Sequence, residues 1–303
     1  MMELTVLQEK IRTQVLSCPI KMNEPMSSHT SFRIGGGAEV MAFPNNREDL
    51  TEVLRICKKL GIRPVILGAG TNVLAPDQGI PGVVICLKDC LDGMELADDT
   101  HICVMAGVTM ARAAVFAANQ GLSGLEFAHG IPGSVGGGVY MNAGAYGGEI
   151  KDVVSSVEIM DYDGNIRQFT NDAMAFSYRH SILEEMDAIV ISATFALQPA
   201  DKDTIKAKMR ELQAKRSASQ PLDLPSAGSA FKRPVGGYAA ALIDQAELKG
   251  FQVGGAAIST KHAGFAVNLG GATAKDVVEL LTKVSDIVFE KTGIRLDPEV
   301  RIW

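Results

Sequence analysis

Apolar residues recur at spacings of three and four in several segments, and each such segment predicts an amphipathic helix. Residues 46–61 are the clearest case. One helical face there carries five apolar side chains: Leu50, Val53, Leu54, Cys57 and Leu60. We expect Asn46 to cap this helix, Asp49 to act as the acid of a capping box, and Gly61 to end it. The same pattern predicts helices over residues 3–16, 108–121, 201–220, 238–250 and 272–293.

Short apolar runs bounded by glycine and proline predict strands. A hairpin is predicted over residues 156–169, where Asp163-Gly164 supplies the turn. Residues 221–237 are predicted to form a loop. Further extended segments are predicted at residues 63–68, 82–87, 188–197, 251–259, 264–270, 294–297 and 299–303. Because strands and helices interleave with a hairpin, the predicted fold class is α+β, or mixed α/β, in two or three modules.

The composition is that of a globular protein, with 47% hydrophobic and 21% charged residues in a chain of 303. The net charge of −6 is not the positive charge that binding to nucleic acid or anionic membranes would favour. The N-terminal segment is charged and amphipathic, unlike a signal peptide. Five cysteines fit reduced thiols, and the one close pair, Cys86 and Cys90, lacks further zinc ligands nearby. We therefore expect a cytoplasmic protein without a structural metal.

Residues 127–148 carry no formal charge and include eight glycines. Their number would allow a membrane span, but a lipid-exposed helix cannot lose backbone hydrogen bonds at that density of glycine. A flexible linker would be polar, whereas this stretch contains Ile131, Val135 and Tyr146. The remaining interpretation is a folded loop whose backbone lies close against a bound molecule.

A further glycine loop, residues 67–74, follows an apolar strand. It is not a dinucleotide fingerprint of the Rossmann type, because Pro76 and Gly79 leave no room for the helix that should follow. The sequence of a phosphate-binding P-loop is absent too. The backbone N–H groups around Gly68 and Gly70 can instead form an anion nest for a pyrophosphate. Together the two loops suggest a dinucleotide with an aromatic head, held largely by backbone.

Eight motifs follow one another along the chain: HTSFRIGG, LGAGTNVL, GIPGSVGG, NAGAYGGEI, SYRHS, GSAFKRP, HAGFAVN and LDPEVRIW. In this order they resemble the UDP-N-acetylenolpyruvoylglucosamine reductases, flavoenzymes of bacterial peptidoglycan precursor synthesis. After the helical arm that the residue pattern predicts for residues 1–20, the resemblance implies an FAD-binding domain of the vanillyl-alcohol-oxidase (PCMH) type over 21–199. Its two subdomains would span residues 21–88 and 89–199. A C-terminal α+β substrate-binding domain would follow over 200–303, its last strand returning to the active site.

The resemblance implies non-covalently bound FAD, with NADPH as co-substrate, although His129 beside the glycine stretch leaves covalent attachment open. The pyrophosphate is expected at Gly68, Gly70, Thr71 and Asn72. The flavin and its ribityl chain are expected along Ile131, Pro132, Gly133, Asn142, Gly144, Ala145 and Gly147. Because no Rossmann fingerprint offers NADPH a separate site, we expect NADPH and the UDP-sugar to alternate in one cleft of a monomer, with ping-pong kinetics.

The implied reaction reduces the enolpyruvyl ether of UDP-N-acetylglucosamine to the lactyl ether of UDP-N-acetylmuramate. Such a site needs a cation for the developing charge and a proton donor opposite the flavin. By resemblance Arg179 is the cation, Ser229 the proton donor, and Glu299 an acid that hydrogen-bonds the enolate or orients a water. Local sequence alone would make them a surface arginine, a turn serine and a salt-bridged glutamate. Their separations of 50 and 70 residues do not independently indicate that they meet.

Further substrate contacts are expected from Tyr178, Lys232, Arg233, Lys261, Asn268 and Arg301. Arg233 stands where many relatives would have asparagine, and His262 fits a structural histidine as well as a ligand contact. After SYRHS the chain lacks the insertion that in some relatives folds a tyrosine over the substrate, so it resembles a shorter variant. Arg301, two positions after Glu299 on an extended strand, is expected to close the site instead.

Two other functions stay open from the sequence. The same flavin fold can serve an alcohol oxidase or dehydrogenase, because one scaffold hosts many chemistries. A non-catalytic binder of flavin or nucleotide sugar is the second alternative. It would have no need of Arg179, Ser229 and Glu299 together.

Overall fold

A computed structural model describes residues 5–12, 18–88 and 90–303 of the chain, without the side chain of Arg12. The helices are α1 (Val6–Arg12), α2 (Arg47–Lys59), α3 (Met110–Gln120), α4 (Val135–Tyr140), α5 (Lys202–Ser219), α6 (Ala239–Gln245) and α7 (Ala274–Thr292). The predicted arm helix over 3–16 lies partly outside the described residues. Among these residues, no helix combines the length and apolarity needed to cross a membrane.

The strands are numbered in the same way along the chain. They are β1 (Ile20–Pro25), β2 (Gly37–Ala42), β3 (Val65–Leu67), β4 (Val73–Leu74), β5 (Ile80–Cys86), β6 (Met94–Leu96), β7 (His101–Met105), β8 (Leu122–Ser123), β9 (Gly144–Ala145), β10 (Gly148–Glu149), β11 (Val154–Asp161), β12 (Ile166–Thr170), β13 (Ala188–Ala196), β14 (Gln198–Pro199), β15 (Ser226–Ser229), β16 (Gln252–Val253), β17 (Ala256–Ile258), β18 (Phe265–Asn268) and β19 (Arg301–Ile302).

The chain forms two compact units from discontinuous stretches. Unit 1 comprises the described residues within 1–22, 39–69 and 82–215. Unit 2 comprises residues 23–38, 70–81 and 216–303. The predicted boundaries near residues 20, 88 and 199 divide the chain by the ligand that each domain would bind, whereas these units are defined by compactness. The predicted boundaries therefore stay predictions.

Unit 1 contains a five-stranded antiparallel sheet of order β12-β11-β13-β7-β6. In β13 the alternate residues Ile191, Ala193 and Phe195 are fully buried, as the two-residue period of a strand requires. The β11–β12 hairpin turns at Asp163-Gly164, which confirms the predicted turn. Helix α4 packs against β13. A second sheet has the order β1-β2-β5-β3, and in it β3 runs parallel to β5.

Helix α2 confirms the prediction made from its apolar face. Its cap is Asn46, whose Oδ1 accepts a hydrogen bond from the backbone N of Asp49 at 2.8 Å. The expected capping box is not completed, because the Asp49 carboxylate accepts hydrogen bonds from Asn45 instead, at 2.9 Å from its backbone N and 2.8 Å from Nδ2. Gly61 follows the helix with φ +67°, a conformation that costs glycine little.

Unit 2 contains a four-stranded antiparallel sheet of order β15-β18-β17-β16, together with α6 and α7. Helix α7 begins with a capping box between Thr273 and Asp276, and Gly293 caps its end in the left-handed conformation. Its buried face repeats at helical spacing, through Val277, Leu280, Leu281, Val284 and Val288. These side chains belong to a core cluster formed by residues of unit 2.

Three segments differ from the predicted pattern. The predicted loop over 221–237 contains strand β15, whose Ser/Gly-rich sequence shows no apolar period and whose pairing comes from β18. The glycine stretch contains α4, three of whose six residues are glycine. Helix α6 ends at Gln245, several residues before the predicted end at 250.

Candidate functional site

The glycine stretch of unit 1 is an ordered part of the fold. Ser134 caps α4, and its Oγ accepts a hydrogen bond from the backbone N of Gly137 at 3.4 Å. Just before the helix, Met110 N donates to Gly133 O at 3.0 Å and Val135 N donates to Val108 O at 2.8 Å. These bonds fix the stretch against the segment that leads into α3.

Several of the glycines are required by packing inside unit 1. A Cβ at Gly138 would lie 2.8 Å from Sδ of Met110, and one at Gly148 would lie 2.6 Å from the Phe127 ring. Gly147 is different, because its φ is +89° and an added Cβ would meet nothing within 4 Å. The stretch therefore combines tightly packed glycines with an open surface at Gly147.

Gly68, from the other glycine loop, lies next to this stretch within unit 1. A Cβ on Gly68 would be 3.0 Å from Oγ of Ser134, the residue that caps α4. Gly68 follows β3 directly, so the parallel pairing of β3 with β5 sets its position. The first residue of the predicted pyrophosphate loop thus adjoins the predicted flavin stretch.

His129 follows the short 3-10 helix Glu126–Ala128 at the start of the glycine stretch. Its Nδ1 atom is buried and has no hydrogen-bond partner among the described residues. A buried ring nitrogen without a partner is unusual in a native structure.

Asn142 is fully buried, with 0% of its surface exposed. Its Nδ2 donates hydrogen bonds to Glu149 Oε2 at 2.8 Å and to Ser177 O at 2.9 Å. Its Oδ1 accepts from Lys151 N at 2.9 Å. The side chain of Asn142, predicted to line the flavin, is therefore bonded within the protein.

Arg179 lies in the tight turn Ser177–His180, whose end residues pair as an isolated antiparallel bridge. Its φ of +56° is uncommon for a residue with a side chain. The guanidinium Nη2 donates to Gly144 O at 3.3 Å, and the guanidinium carbon lies 5.1 Å from the centre of the Tyr178 ring. After this turn only the 3-10 helix Ile182–Glu185 precedes β13, so the described chain has no inserted tyrosine loop here.

The remaining residues of the predicted pyrophosphate loop belong to unit 2, as does Glu299. Asn72 Nδ2 donates to Glu299 O at 3.3 Å, and Arg301 N donates to Asn72 O at 2.9 Å. Strand β4 then pairs in parallel with β19. Gly70 has φ +67°, and a Cβ there would lie 2.0 Å from the carbonyl oxygen of His29, so only glycine fits.

The segments that carry Ser229 and Glu299 lie side by side within unit 2. Ser229 ends β15, where it pairs with Phe265 of β18. The next residue, Ala230, accepts a hydrogen bond at its carbonyl from the backbone N of Glu299 at 3.0 Å. Lys232 N then donates to Asp297 O at 2.8 Å. Segments 229–232 and 297–299 therefore run side by side, and Glu299, 9% exposed, adjoins the serine strand.

Two of the predicted substrate residues are bonded within unit 2. Lys261 Nζ donates to Ser217 O at 2.7 Å, in the last turn of α5. The buried Asn268 donates from Nδ2 to Phe32 O at 3.1 Å and accepts at Oδ1 from Gly270 N at 2.8 Å. Both arrangements serve the fold, and the substrate contacts of these two residues stay predictions.

The other predicted cations of unit 2 are Lys232, Arg233 and Arg301. Lys232 is half-buried, and Arg233 is exposed with its guanidinium carbon 4.7 Å from the centre of the Tyr238 ring. Arg301 is half-buried at the start of β19. Guanidinium and ammonium groups in such positions are suited to binding phosphate oxygens.

His262 has the environment of a structural histidine. Its Nδ1 accepts a hydrogen bond from Gly264 N at 3.1 Å, and its ring makes an edge contact with Phe265, with the ring centres 5.1 Å apart. Burial lowers the pKa of His262 below its ordinary value of 6.5. The ring is therefore held in its neutral form.

Ser31 connects two parts of unit 2 that carry predicted site residues, although its sequence suggests no role. Its backbone N donates to Gly70 O at 2.9 Å, and its Oγ donates to Ser226 O at 2.6 Å. Glu149, which accepts from Asn142, is similarly absent from the predicted site. Only their positions inside the HTSFRIGG and NAGAYGGEI motifs could have pointed to them.

The cysteines are free thiols, and four of the five are buried: Cys18, Cys57, Cys86 and Cys90. Burial raises the pKa of Cys57 to about 11 and that of Cys90 to about 12. Within the described ranges, no group of three or more His, Cys, Asp or Glu residues is placed to hold a metal ion.

Comparison with known proteins gives matches along nearly the whole chain. Residues 38–170 match the family model described as FAD binding domain. Residues 220–303 match the one described as UDP-N-acetylenolpyruvoylglucosamine reductase, C-terminal domain. A UDP-N-acetylenolpyruvoylglucosamine reductase of Caldanaerobacter subterraneus subsp. tengcongensis is 45% identical over 297 residues, which cover 98% of each chain. Another, of Lactobacillus delbrueckii subsp. bulgaricus, is 47% identical over 93% of this chain and 95% of its own.

The solved structures agree with the sequence matches. The crystal structure of UDP-N-acetylenolpyruvylglucosamine reductase from Thermus caldophilus superposes with a TM-score of 0.80 at 34% identity, covering 95% of this chain and 100% of the other. The predicted α+β class, with a PCMH-type FAD-binding domain and a C-terminal domain of this reductase type, is thereby confirmed. The chain belongs to the UDP-N-acetylenolpyruvoylglucosamine reductase family.

Proposed function

We propose that this chain reduces the enolpyruvyl group of UDP-N-acetylglucosamine enolpyruvate to give UDP-N-acetylmuramate, using FAD and taking hydride from NADPH, in the cytoplasm. The observation that carries the proposal is the hydrogen bond of Glu299 N to Ala230 O at 3.0 Å. It sets an acid beside the serine strand, in a chain whose relatives bear the name of this activity. A protein that only binds nucleotides has no need of such a pair.

The residues of unit 1 fit the flavin part of FAD. The glycine stretch carries no formal charge, and a Cβ at Gly147 would meet nothing within 4 Å, so the backbone there is accessible to a flat ring system. The residues that would hold the flavin are Ile131, Pro132, Gly133, Gly144, Ala145 and Gly147, with the pyrophosphate at Gly68, Gly70, Thr71 and Asn72. FAD, held non-covalently, supplies the hydride that reaches the vinyl carbon.

Arg179 is proposed to bind the substrate carboxylate. A guanidinium stays protonated at all physiological pH values and can bind a carboxylate through two parallel hydrogen bonds. When hydride has reached the terminal vinyl carbon, enolate-like charge spreads onto this carboxylate. Arg179 stabilises that charge because it bears a fixed positive charge in a preformed turn.

Ser229 is proposed to protonate the carbon next to the carboxylate. A serine hydroxyl is a weak acid, but an enolate is a strong base, so the proton passes from Oγ to carbon. Lys232, three residues further along, is proposed to stabilise the alkoxide. Glu299, largely buried beside this strand, is proposed to hydrogen-bond the enolate or to orient a water.

Binding of the UDP-sugar phosphates is proposed for Lys232, Arg233, Lys261 and Arg301, with Tyr178 and Asn268 as polar partners. Arg301 is proposed to close the site in place of the missing tyrosine. The change Arg301→Ala should then weaken binding of the sugar nucleotide about tenfold or more while leaving flavin reduction by NADPH intact. Unchanged affinity for the sugar nucleotide would contradict this role.

NADPH and the UDP-sugar are proposed to use one site of a monomer in turn. The test is an anaerobic visible spectrum of the FAD-loaded protein, to which NADPH and then the enolpyruvyl sugar nucleotide are added. The flavin band should bleach with NADPH and return with the sugar nucleotide. Ser229→Ala should bleach normally and recover slowly. Recovery with oxygen or a carbonyl compound, but not with the sugar nucleotide, would instead indicate an oxidase or dehydrogenase of the same fold.

A further inference from the structure

Arg179 is held in a backbone conformation that its own sequence disfavours. The turn is closed by Ser177 N donating to His180 O at 3.1 Å and by His180 N donating to Ser177 O at 3.3 Å. Arg179 is the third residue of this turn, and its φ is +56°, the value that glycine normally supplies. A strained residue of this kind persists only when its surroundings hold it in place.

Asn142 is the side chain that holds the base of this turn. Its Nδ2 donates at 2.9 Å to Ser177 O, the same carbonyl that accepts from His180. The orientation of the Asn142 amide is settled by Lys151 N, a donor that must face Oδ1, at 2.9 Å. Glu149 Oε2 takes the other Nδ2 hydrogen at 2.8 Å, so no alternative orientation satisfies all three bonds.

The same loop also bonds the guanidinium end of Arg179. Gly144, two residues after Asn142, accepts from Nη2 at 3.3 Å. Asn142 is itself in a left-handed conformation, φ +43°, which asparagine tolerates better than most residues. The loop that begins at Asn142 therefore contacts Arg179 at both its backbone and its charged group.

We propose that Asn142 is a positioning residue for Arg179, acting through Ser177 O, and that its side chain does not contact the cofactor. This inference rests on the proposed function, because it assigns Asn142 to the step in which the substrate carboxylate is bound. Removing its amide donors should therefore slow reoxidation of the flavin by the sugar nucleotide while sparing both FAD affinity and reduction by NADPH.

The test is Asn142→Asp, which keeps the shape, the acceptor for Lys151 N and the tolerance for positive φ but replaces the Nδ2 amide by a carboxyl oxygen. Any proton retained there would be shared with the Glu149 carboxylate, the stronger acceptor, so the bond to Ser177 O is lost. Reoxidation by the sugar nucleotide should slow about 30-fold, and bleaching by NADPH and FAD affinity should stay within about threefold of wild type. Asn171→Asp is the matched control, because Asn171 Nδ2 donates to two unit 1 carbonyls, Lys151 O at 2.7 Å and Val154 O at 2.6 Å. It should leave reoxidation unchanged.

A double-variant cycle shows whether Asn142 acts through Arg179. If it does, Asn142→Asp combined with Arg179→Ala should reoxidise no more slowly than Arg179→Ala alone. The proposal would be overturned if the double variant lost reoxidation rate by the product of the two single-variant factors. It would also be overturned if Asn142→Asp lost much FAD affinity while the flavin that remains bound was reoxidised normally. If Asn142→Asp does not fold, Asn142→Gly carries the same cycle, because glycine also accepts φ +43°.

Failure of the proposed function is recognised separately. If wild-type flavin bleaches but is not reoxidised by the sugar nucleotide, the assigned substrate is wrong. The positioning is then measured from a crystal structure of the Asn142→Asp variant. Arg179 should have left the left-handed region there, and an unchanged turn would overturn the inference.

Discussion

The strain at Arg179 can be measured without any substrate. Its φ of +56° lies where a residue with a Cβ costs about 1–2 kcal/mol. Arg179→Ala keeps the Cβ and Arg179→Gly removes it, while both lose the same guanidinium contacts. Because glycine gains about 0.5–1 kcal/mol of freedom in the unfolded chain, part of the relief is offset. Arg179→Gly should therefore be about 0.5–1 kcal/mol more stable than Arg179→Ala.

Calorimetry of the two FAD-loaded variants gives the difference directly, as a shift of about 2 °C in the transition temperature. Arg210 supplies the control, because it is an exposed arginine inside α5. There the order should reverse, with Arg210→Gly about 1 kcal/mol less stable than Arg210→Ala. If glycine is also the less stable choice at position 179, the turn does not impose positive φ in solution and the strain argument fails. Both Arg179 variants should slow reoxidation by the sugar nucleotide to a low but measurable rate.

Three further predictions concern stability and reactivity. Because burial lowers the pKa of His262, the unfolded chain takes up a proton at a higher pH than the folded chain, so the free energy of unfolding should fall as the pH drops from 6.5 through that lowered pKa. In His262→Gln, the free energy of unfolding from denaturant titrations should depend less on pH across this range, and an unchanged pH dependence would contradict the assignment. Burial raises the pKa of Cys57 to about 11 and that of Cys90 to about 12. Both thiols should therefore stay unmodified by a thiol reagent at pH 8 until the protein unfolds, and rapid labelling of the folded protein would show that they are accessible. Gly148→Ala should destabilise unit 1 by about 1–3 kcal/mol, because its Cβ would lie 2.6 Å from the Phe127 ring. Denaturant titration should show a larger loss for it than for Gly137→Ala, whose Cβ would come no closer than 3.5 Å to Ser134 Oγ.

Elements with a strong apolar period could be predicted from the sequence, and the tertiary arrangement of the site could not. Helix α2 shows the first case, since its buried face and Asn46 cap are local features. Strand β15 shows the second, because Ser226–Ser229 has no apolar period and pairs only through β18. The adjacency of Ser229 to Glu299 depends on a hydrogen bond between residues 230 and 299, which no local pattern encodes.

Asn142 illustrates the limit of assigning roles by motif. The NAGAYGGEI motif places it in the flavin stretch, but the sequence does not show that the side chain is buried and directed at Ser177 O. Lys261 is similar, because its bond to Ser217 O joins residues 44 apart along the chain. A motif can identify the part of the fold in which a residue lies, whereas the hydrogen bonds of its side chain show which groups that residue positions.

The parallel pairing of β4 with β19 makes the loop 70–72 and the segment around Glu299 a single opening unit. Arg301 N can exchange its proton with solvent only when its bond to Asn72 O breaks, and the same event releases the loop proposed to hold the pyrophosphate. Deuterium uptake at the backbone amide of Arg301 should therefore report whether the cofactor is bound at that loop. Loss of the cofactor should accelerate this exchange, so that in the cofactor-free protein the segment around Glu299 loosens before the protein unfolds.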